Sequence, residues 1–141
     1  MTNEIAVGYA ALALRLSLGT MFIAHALLKV LVFTMPGTVG FFESVGLPGF
    51  MAYVVVVAEL GGGTALVVGV LVRWVSFALV PVLLGATWVH FPNGWLFSAE
   101  GGGWEYPLFL TIATIVQGFL GAGAFAVKLP LEEKLKWRGA D

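Results

Sequence analysis

Four long apolar stretches constrain the fold of this chain more than any other feature. A helix needs about 20 mostly apolar residues to cross a hydrocarbon core of roughly 30 Å, and residues 5–33, 50–72, 74–91 and 106–127 approach or exceed that length. Only 11% of the residues are charged and 60% are hydrophobic, more apolar surface than a soluble domain of this size could bury. The sequence therefore predicts one all-α domain over residues 1–141, an integral membrane four-helix bundle with short interfacial segments.

The connections between these stretches predict which helices are neighbours. Only Arg73 separates the second stretch from the third, so these two should form a tight antiparallel pair. Between the first two, clusters of glycine and proline flank residues 41–45, which could form a short interfacial helix. The third connection is rich in glycine and carries aromatic side chains typical of a membrane surface. These aromatic residues are Trp95, Phe97, Trp104 and Tyr106.

The distribution of positive charge predicts the orientation. Arg73 in the second connection falls on the same side as the basic residues of the C-terminal region, whereas the third connection carries only acidic residues. Both termini are therefore expected in the cytoplasm. Residues 129–141 mix apolar and charged side chains and are predicted to lie on the inner membrane surface. The basic residues of that region are Lys128, Lys134, Lys136 and Arg138.

Composition excludes several classes of partner and cofactor. A formal net charge of −1 offers no basic surface for nucleic acid. The chain has no cysteine, so it cannot supply the thiolates of an iron–sulfur cluster or attach a c-type haem covalently.

Small residues at helical spacing predict close helix packing. In the second stretch they are Ala58, Gly62, Ala65 and Gly69, and in the fourth they are Gly118, Ala122 and Ala126. On this pattern, Gly62→Leu should disrupt the bundle more than Leu66→Ala.

Ionisable residues within the predicted helices are the candidates for function, because a charge facing lipid is costly. Counting a rise of 1.5 Å per residue, five of them fall in the outer half of the bundle, where we expect them to surround a partly wet cavity with Arg15 beneath it. Glu59 is expected to pair with His25 or Arg15. The candidates for catalysis are His25, Lys29 and Glu59, and those for ligand binding are Arg15, His90 and Glu105.

Simpler roles exist for each of these side chains. Lys29 could extend outward to the interface, and Arg15 and Glu59 could be a structural ion pair. His90 and Glu105 could be ordinary interface residues. Two histidines could also hold a b-type haem, but His25 and His90 differ in depth. A metal site made of both histidines with Glu59 and Glu105 is no better supported, so no metal is predicted.

Several short motifs follow one another in order along nearly the whole chain. The first helix has Leu14-Arg15-Leu16, Gly19, Phe22, His25 and Lys29, and the second has Gly46-Leu47-Pro48, Glu59-Leu60-Gly61-Gly62, Leu66, Gly69 and Arg73. The third helix adds His90 and the connection into Gly103-Trp104-Glu105-Tyr106-Pro107. Together these motifs resemble those of the DoxX family. Two features depart from the family pattern. Ala26 replaces the glycine that often follows the histidine, and residues 121–128 lack the serine and aspartate common near the fourth helix end.

The resemblance implies a small four-helix inner-membrane protein in a quinone-linked redox setting, since the family takes its name from a subunit of an archaeal thiosulfate:quinone oxidoreductase. We expect a non-autonomous subunit of an oxidoreductase, with quinone as the candidate cofactor. Its expected partners are the lipid bilayer, a membrane or peripheral redox protein, and further copies of the chain. A structural subunit without chemistry of its own, or a pathway for protons or small solutes, would use the same polar residues.

Overall fold

The computed structural model describes residues 2–127 and 129–130, and within them the chain is all-α, as the sequence predicts. Its helices are α1 (Asn3–Leu27), α2 (Met35–Ser44), α3 (Phe50–Val68), α4 (Val72–His90) and α5 (Glu105–Leu120). A π-helical turn, Leu28–Val32, extends α1, and a 3₁₀ turn, Phe91–Asn93, extends α4. Apart from residues 129 and 130, the predicted C-terminal tail lies outside the described residues, as do Lys128, Lys134, Lys136 and Arg138.

Three of the helices are long and apolar enough to cross a membrane. They run over Asn3–Val32, Phe50–Val68 and Val72–Asn93. The fourth member of the bundle, α5, is apolar but has 16 residues, a length of about 24 Å. It ends at Leu120 rather than at residue 127, because Gly121 takes a positive φ of 78° that a right-handed helix cannot continue through.

The bundle has two ends that carry different structures. The corner end holds the start of α1, the sharp turn between α3 and α4, and residues 121–127 after α5. That turn begins at Gly69, whose left-handed φ of 86° ends α3. The loop end holds α2 and residues 94–104, which contain the predicted aromatic belt. Residues 41–45, predicted as a short interfacial helix, fall at the end of the longer helix α2.

Helices α1 and α3 touch through their backbones at Gly19 and Gly63. A Cβ added at Gly19 would lie 2.7 Å from the Gly63 carbonyl oxygen, and one at Gly63 would lie 2.8 Å from the Gly19 oxygen. The contact of α3 with α1 is therefore at Gly63, one residue after Gly62 of the predicted small-residue stripe. Gly62 itself faces the Leu79 side chain of α4. Leu66 is fully buried, so Leu66→Ala should also be costly.

The buried core lies between the four long helices. An apolar cluster within it draws on α1, α3 and α4, with α5 packed against it through Leu110 and Ala113. Near the corner end, Gly118 of α5 packs against the ring of Phe77 of α4. Ala122 and Ala126, predicted on the fourth helix, lie beyond its end. The cluster consists of Leu18, Phe22, Leu66, Val72, Leu79 and Leu83.

Candidate functional site

A buried ion pair joins Lys29 to Glu59. The Lys29 Nζ donates to both carboxylate oxygens of Glu59, at 2.9 Å to Oε1 and 2.8 Å to Oε2. Only 19% of the Lys29 side chain and 8% of the Glu59 side chain are exposed. The prediction that Glu59 pairs with His25 or Arg15 was therefore wrong. Lys29 also does not extend outward to the interface.

The directions of the two helices explain this pairing. Counted from the Gly19–Gly63 contact, Glu59 lies about 6 Å and Lys29 about 15 Å toward the loop end. Helical side chains lean toward the N-terminus of their own helix. Because α1 and α3 are antiparallel, Lys29 leans toward the corner end while Glu59 leans toward the loop end. The two side chains thus close the gap of about 9 Å between their levels.

A break in regular helix geometry holds Lys29 in place. It lies in the π-helical turn Leu28–Val32, a feature frequent at functional sites. The buried Thr38 of α2 donates its hydroxyl to the Lys29 carbonyl oxygen at 2.9 Å. Thr34 makes the sharp connection to α2, with a positive φ of 63° that is unusual for a β-branched residue. The backbone around Lys29 is therefore fixed by a second helix.

His25 and Tyr106 lie beside the ion pair. His25 lies near the Glu59 carboxylate. Its Nδ1 is 2.7 Å from the Met21 carbonyl oxygen, so we assign the proton of the neutral ring to Nδ1 and leave Nε2 as an acceptor. The ring stacks on Tyr106 of α5, with centroids 6.1 Å apart. The Tyr106 hydroxyl is buried and has no hydrogen-bond partner among the described residues.

Arg15 binds backbone carbonyl groups at the corner end. Its Nη1 donates to Leu66 and Val67 at 3.1 Å each, and its Nη2 donates to Ala124 at 2.9 Å and Phe125 at 3.1 Å. Its side chain leans toward the N-terminus of α1 and so away from Glu59. Arg15 therefore joins the end of α3 to the segment after α5, and the structure does not bring it to the Lys29–Glu59 pair.

His90 and Glu105 make local contacts at the loop end. His90 Nδ1 is 2.7 Å from the carbonyl oxygen of Ala86 in its own helix. Glu105 Oε1 accepts the backbone N–H of Phe97 at 2.8 Å, which fixes the loop between α4 and α5. Of the six predicted site residues, the structure thus groups His25, Lys29 and Glu59. Within its described part it shows no hydrogen bond or ion pair from His90 or Glu105 to these three.

An open aromatic recess lies next to this group. It has a volume of about 350 Å³ and is lined by Trp95, Phe97, Glu105, Tyr106 and Phe109. Tyr106 thus belongs both to the recess and to the stack on His25. The sequence predicts one cavity lined by the ionisable residues together. This recess is not that cavity, because its described lining includes neither Lys29 nor Glu59.

Metal binding finds no support within residues 2–127 and 129–130, where no three His, Asp or Glu side chains are grouped closely enough to hold an ion. The four-residue metal site considered from the sequence is therefore not assembled there.

Sequence reasoning placed Tyr106 only in the aromatic belt and missed several buried polar side chains. These are Thr38, Ser76, Thr111, Thr114 and Gln117. The available signal was an uncharged polar residue in an apolar helix. It is strongest for the single glutamine of the chain, since an amide facing lipid would be left without hydrogen bonds.

Comparison with known proteins gives three matches of different extent. The DoxX family model matches residues 10–92. The chain is 40% identical over 86 residues to "Putative oxidoreductase CatD" of Bacillus subtilis (strain 168), a match that covers 61% of each protein. It is 32% identical over 103 residues to the inner membrane protein YqjF of Escherichia coli (strain K12), covering 70% of this chain and 75% of YqjF. No solved structure matches the chain significantly.

Proposed function

This chain belongs to the DoxX family, and on that premise we propose that it is the membrane subunit of a redox complex in the cell inner membrane, with both termini in the cytoplasm. The similarity to CatD, which is named as an oxidoreductase, supports a redox role. The similarity to YqjF supports the inner membrane. The chain spans 61% of the length of CatD.

The buried Lys29–Glu59 pair is the observation that carries this proposal. An ion pair withdrawn from water contributes little net stability compared with apolar residues of the same volume. Ionisable groups at membrane depth mark sites of proton or ligand handling. Here Lys29 lies in a π-helical turn, and the pair has a histidine beside it, which suits a site where a ligand competes for the ammonium group or accepts a proton.

The proposed ligand is the head group of a quinone. A quinone takes up two electrons and two protons to become a quinol, and the electrons would come from a partner protein. The residues of this chain would bind the head group and supply protons. Lys29 would donate a hydrogen bond to one carbonyl oxygen, and the Glu59 carboxylate and His25 Nε2 would each take up a proton from water and pass it to the reduced ring. The recess beside Tyr106, with its three apolar aromatic side chains, would admit the ring from the loop end.

Quinone retention by purified protein tests the proposal. The chain would be extracted in mild detergent and its bound quinone measured by chromatography and mass spectrometry. Wild type is expected to retain quinone, and Glu59→Gln to lose at least tenfold. Glu43→Gln is the matched control, because Glu43 is an exposed carboxylate on α2, and it should retain the wild-type amount.

A charge-swapped variant separates binding from packing. Lys29→Glu combined with Glu59→Lys restores an ion pair but reverses its polarity. If the pair forms a binding site, the double variant should keep its thermal stability and still lose quinone. Absence of quinone from the wild type, together with no binding of added quinone, would refute the proposal.

The second candidate is a structural or assembly subunit. It is favoured by Arg15, whose four hydrogen bonds all go to backbone carbonyl groups. If Lys29 and Glu59 serve packing in the same way, the charge-swapped variant would behave as wild type in every measurement.

A further inference from the structure

Four side chains near the corner end carry buried polar atoms that have no hydrogen-bond partner in the described part of the protein. The atoms are Arg15 Nε, Ser76 Oγ, Thr114 Oγ1 and Gln117 Oε1. Each of these residues is at most 1% exposed. Leaving one such atom unsatisfied costs about 1–3 kcal/mol. Four together indicate a bound species that supplies the missing hydrogen bonds.

The register between α4 and α5 places three of these side chains at similar depth. Gly118 of α5 packs against the ring of Phe77 of α4. The adjacent residues Ser76 and Gln117 therefore lie at about the same level, and both face the interior because neither is exposed. Thr114 is three residues before Gln117 on the same buried face of α5.

The segment after α5 connects Gln117 with Arg15. Gln117 Nε2 donates to the Gly121 carbonyl oxygen at 2.7 Å. Arg15 donates to the carbonyl oxygens of Ala124 and Phe125 in the same segment. Both side chains thus use part of their hydrogen-bonding capacity on residues 121–125 and keep one polar atom each, Oε1 and Nε, for another partner.

The hydroxyl groups of Ser76 and Thr114 differ from others in the bundle. Thr64, Thr87 and Thr111 each donate to the carbonyl oxygen four residues earlier in their own helix, at 2.7–2.8 Å. This is the usual way for a hydroxyl to be satisfied in an apolar helix. Ser76 and Thr114 do not make that bond within the described residues, which leaves their hydroxyls available to a ligand.

We propose that these four side chains form a buried hydration site that binds water. Arg15 Nε can only donate, Gln117 Oε1 can only accept, and the two hydroxyls can do either. An anion would meet a second acceptor at Gln117, and a cation would meet the charge of Arg15. Water both donates and accepts, and buried waters make about three hydrogen bonds to polar groups of this kind.

The hydration site is separate from the proposed redox site. The buried side chains of Leu18, Phe22 and Leu66 belong to the apolar cluster between the two ends. The bound water would hold residues 121–125 against the bundle through Arg15 and Gln117, so its presence does not depend on any ligand at Lys29 and Glu59.

The single glutamine of the chain allows a direct test. Protein labelled with ¹⁵N in the glutamine side chain would be placed in micelles and examined by NMR for cross-relaxation between water and the Gln117 amide protons. A cross-peak from water is expected, although the side chain is fully buried. Its absence would overturn the proposal.

The sign of a stability change gives a second, independent test. Thr114→Val removes one partner of the bound water and should lower the Tm by a few degrees. In a dry site the same change would remove an unsatisfied hydroxyl and raise the Tm, which would contradict the proposal. Thr111→Val is the matched control, since Thr111 is buried on the same helix but donates within it, and its Tm should change less.

Discussion

Arg15 shows how a charged side chain can be accommodated at membrane depth. The last turn of α3 and the segment after α5 leave carbonyl groups without helical partners, and in lipid such groups must be satisfied by the protein itself. The Arg15 guanidinium serves four of them in two segments that are far apart in sequence. Gly69 leaves the space for it, because a Cβ there would collide with Nη1.

Arg15→Met should therefore destabilise the fold. Four carbonyl groups would lose a donor, at about 1–3 kcal/mol for each one left buried and unsatisfied, so the free energy of unfolding should fall by at least about 4 kcal/mol. Unfolding by SDS in mixed micelles measures this change. Arg73→Met is the control, because Arg73 is exposed, and its effect should stay within about 0.5 kcal/mol. Equal effects would show that Arg15 contributes only charge.

The three adjacent glycines of α3 occupy three different environments. A Cβ added at Gly61 meets nothing within 4 Å, one at Gly62 meets the flexible Leu79 side chain at 2.9 Å, and one at Gly63 meets the α1 backbone at 2.8 Å. Backbone cannot move aside as a side chain can, so the contact between α1 and α3 depends chiefly on Gly63.

Alanine substitutions at these glycines should change the free energy of unfolding by different amounts or in opposite directions. Gly63→Ala is expected to lower the free energy of unfolding by about 1–3 kcal/mol through overpacking. Gly61→Ala should be neutral or stabilising by up to about 1 kcal/mol, because alanine favours helix over glycine. Thermal unfolding in detergent compares the two variants. Similar losses for both would place the helix contact elsewhere.

The lengths of the apolar stretches predicted the helices, but the Lys29–Glu59 pairing depends on the directions in which the two side chains lean. Hydropathy identified the helical class because lipid leaves few alternatives for an apolar chain. Counting Cα levels placed His25 close to Glu59 but left Lys29 too far away, since it ignored the opposite lean of the Lys29 and Glu59 side chains. The same omission directed Arg15 toward the wrong end. The early stop of α5 depends on the positive φ of Gly121, which periodicity does not reveal.

Arrangement of the bundle in the membrane can be tested by labelling, because the chain has no native cysteine. Ser98→Cys lies in the exposed loop between α4 and α5, and Thr2→Cys lies in the exposed N-terminal region. With both termini in the cytoplasm, a membrane-impermeant maleimide should label Ser98→Cys in intact cells and Thr2→Cys only after permeabilisation. The reverse pattern would invert the orientation.

The unequal lengths of the helices have a consequence for the surrounding lipid. Residues Asn3–Val32 form 30 residues of continuous helix, about 45 Å, whereas α5 covers about 24 Å. Acyl chains beside α5 therefore meet a hydrophobic face shorter than a typical bilayer core, and this mismatch is relieved by local thinning. The bilayer around the protein should therefore be thinner beside α5 than beside the long first helix. The free-energy cost of that deformation falls when the α5 sides of two molecules share the same thinned lipid.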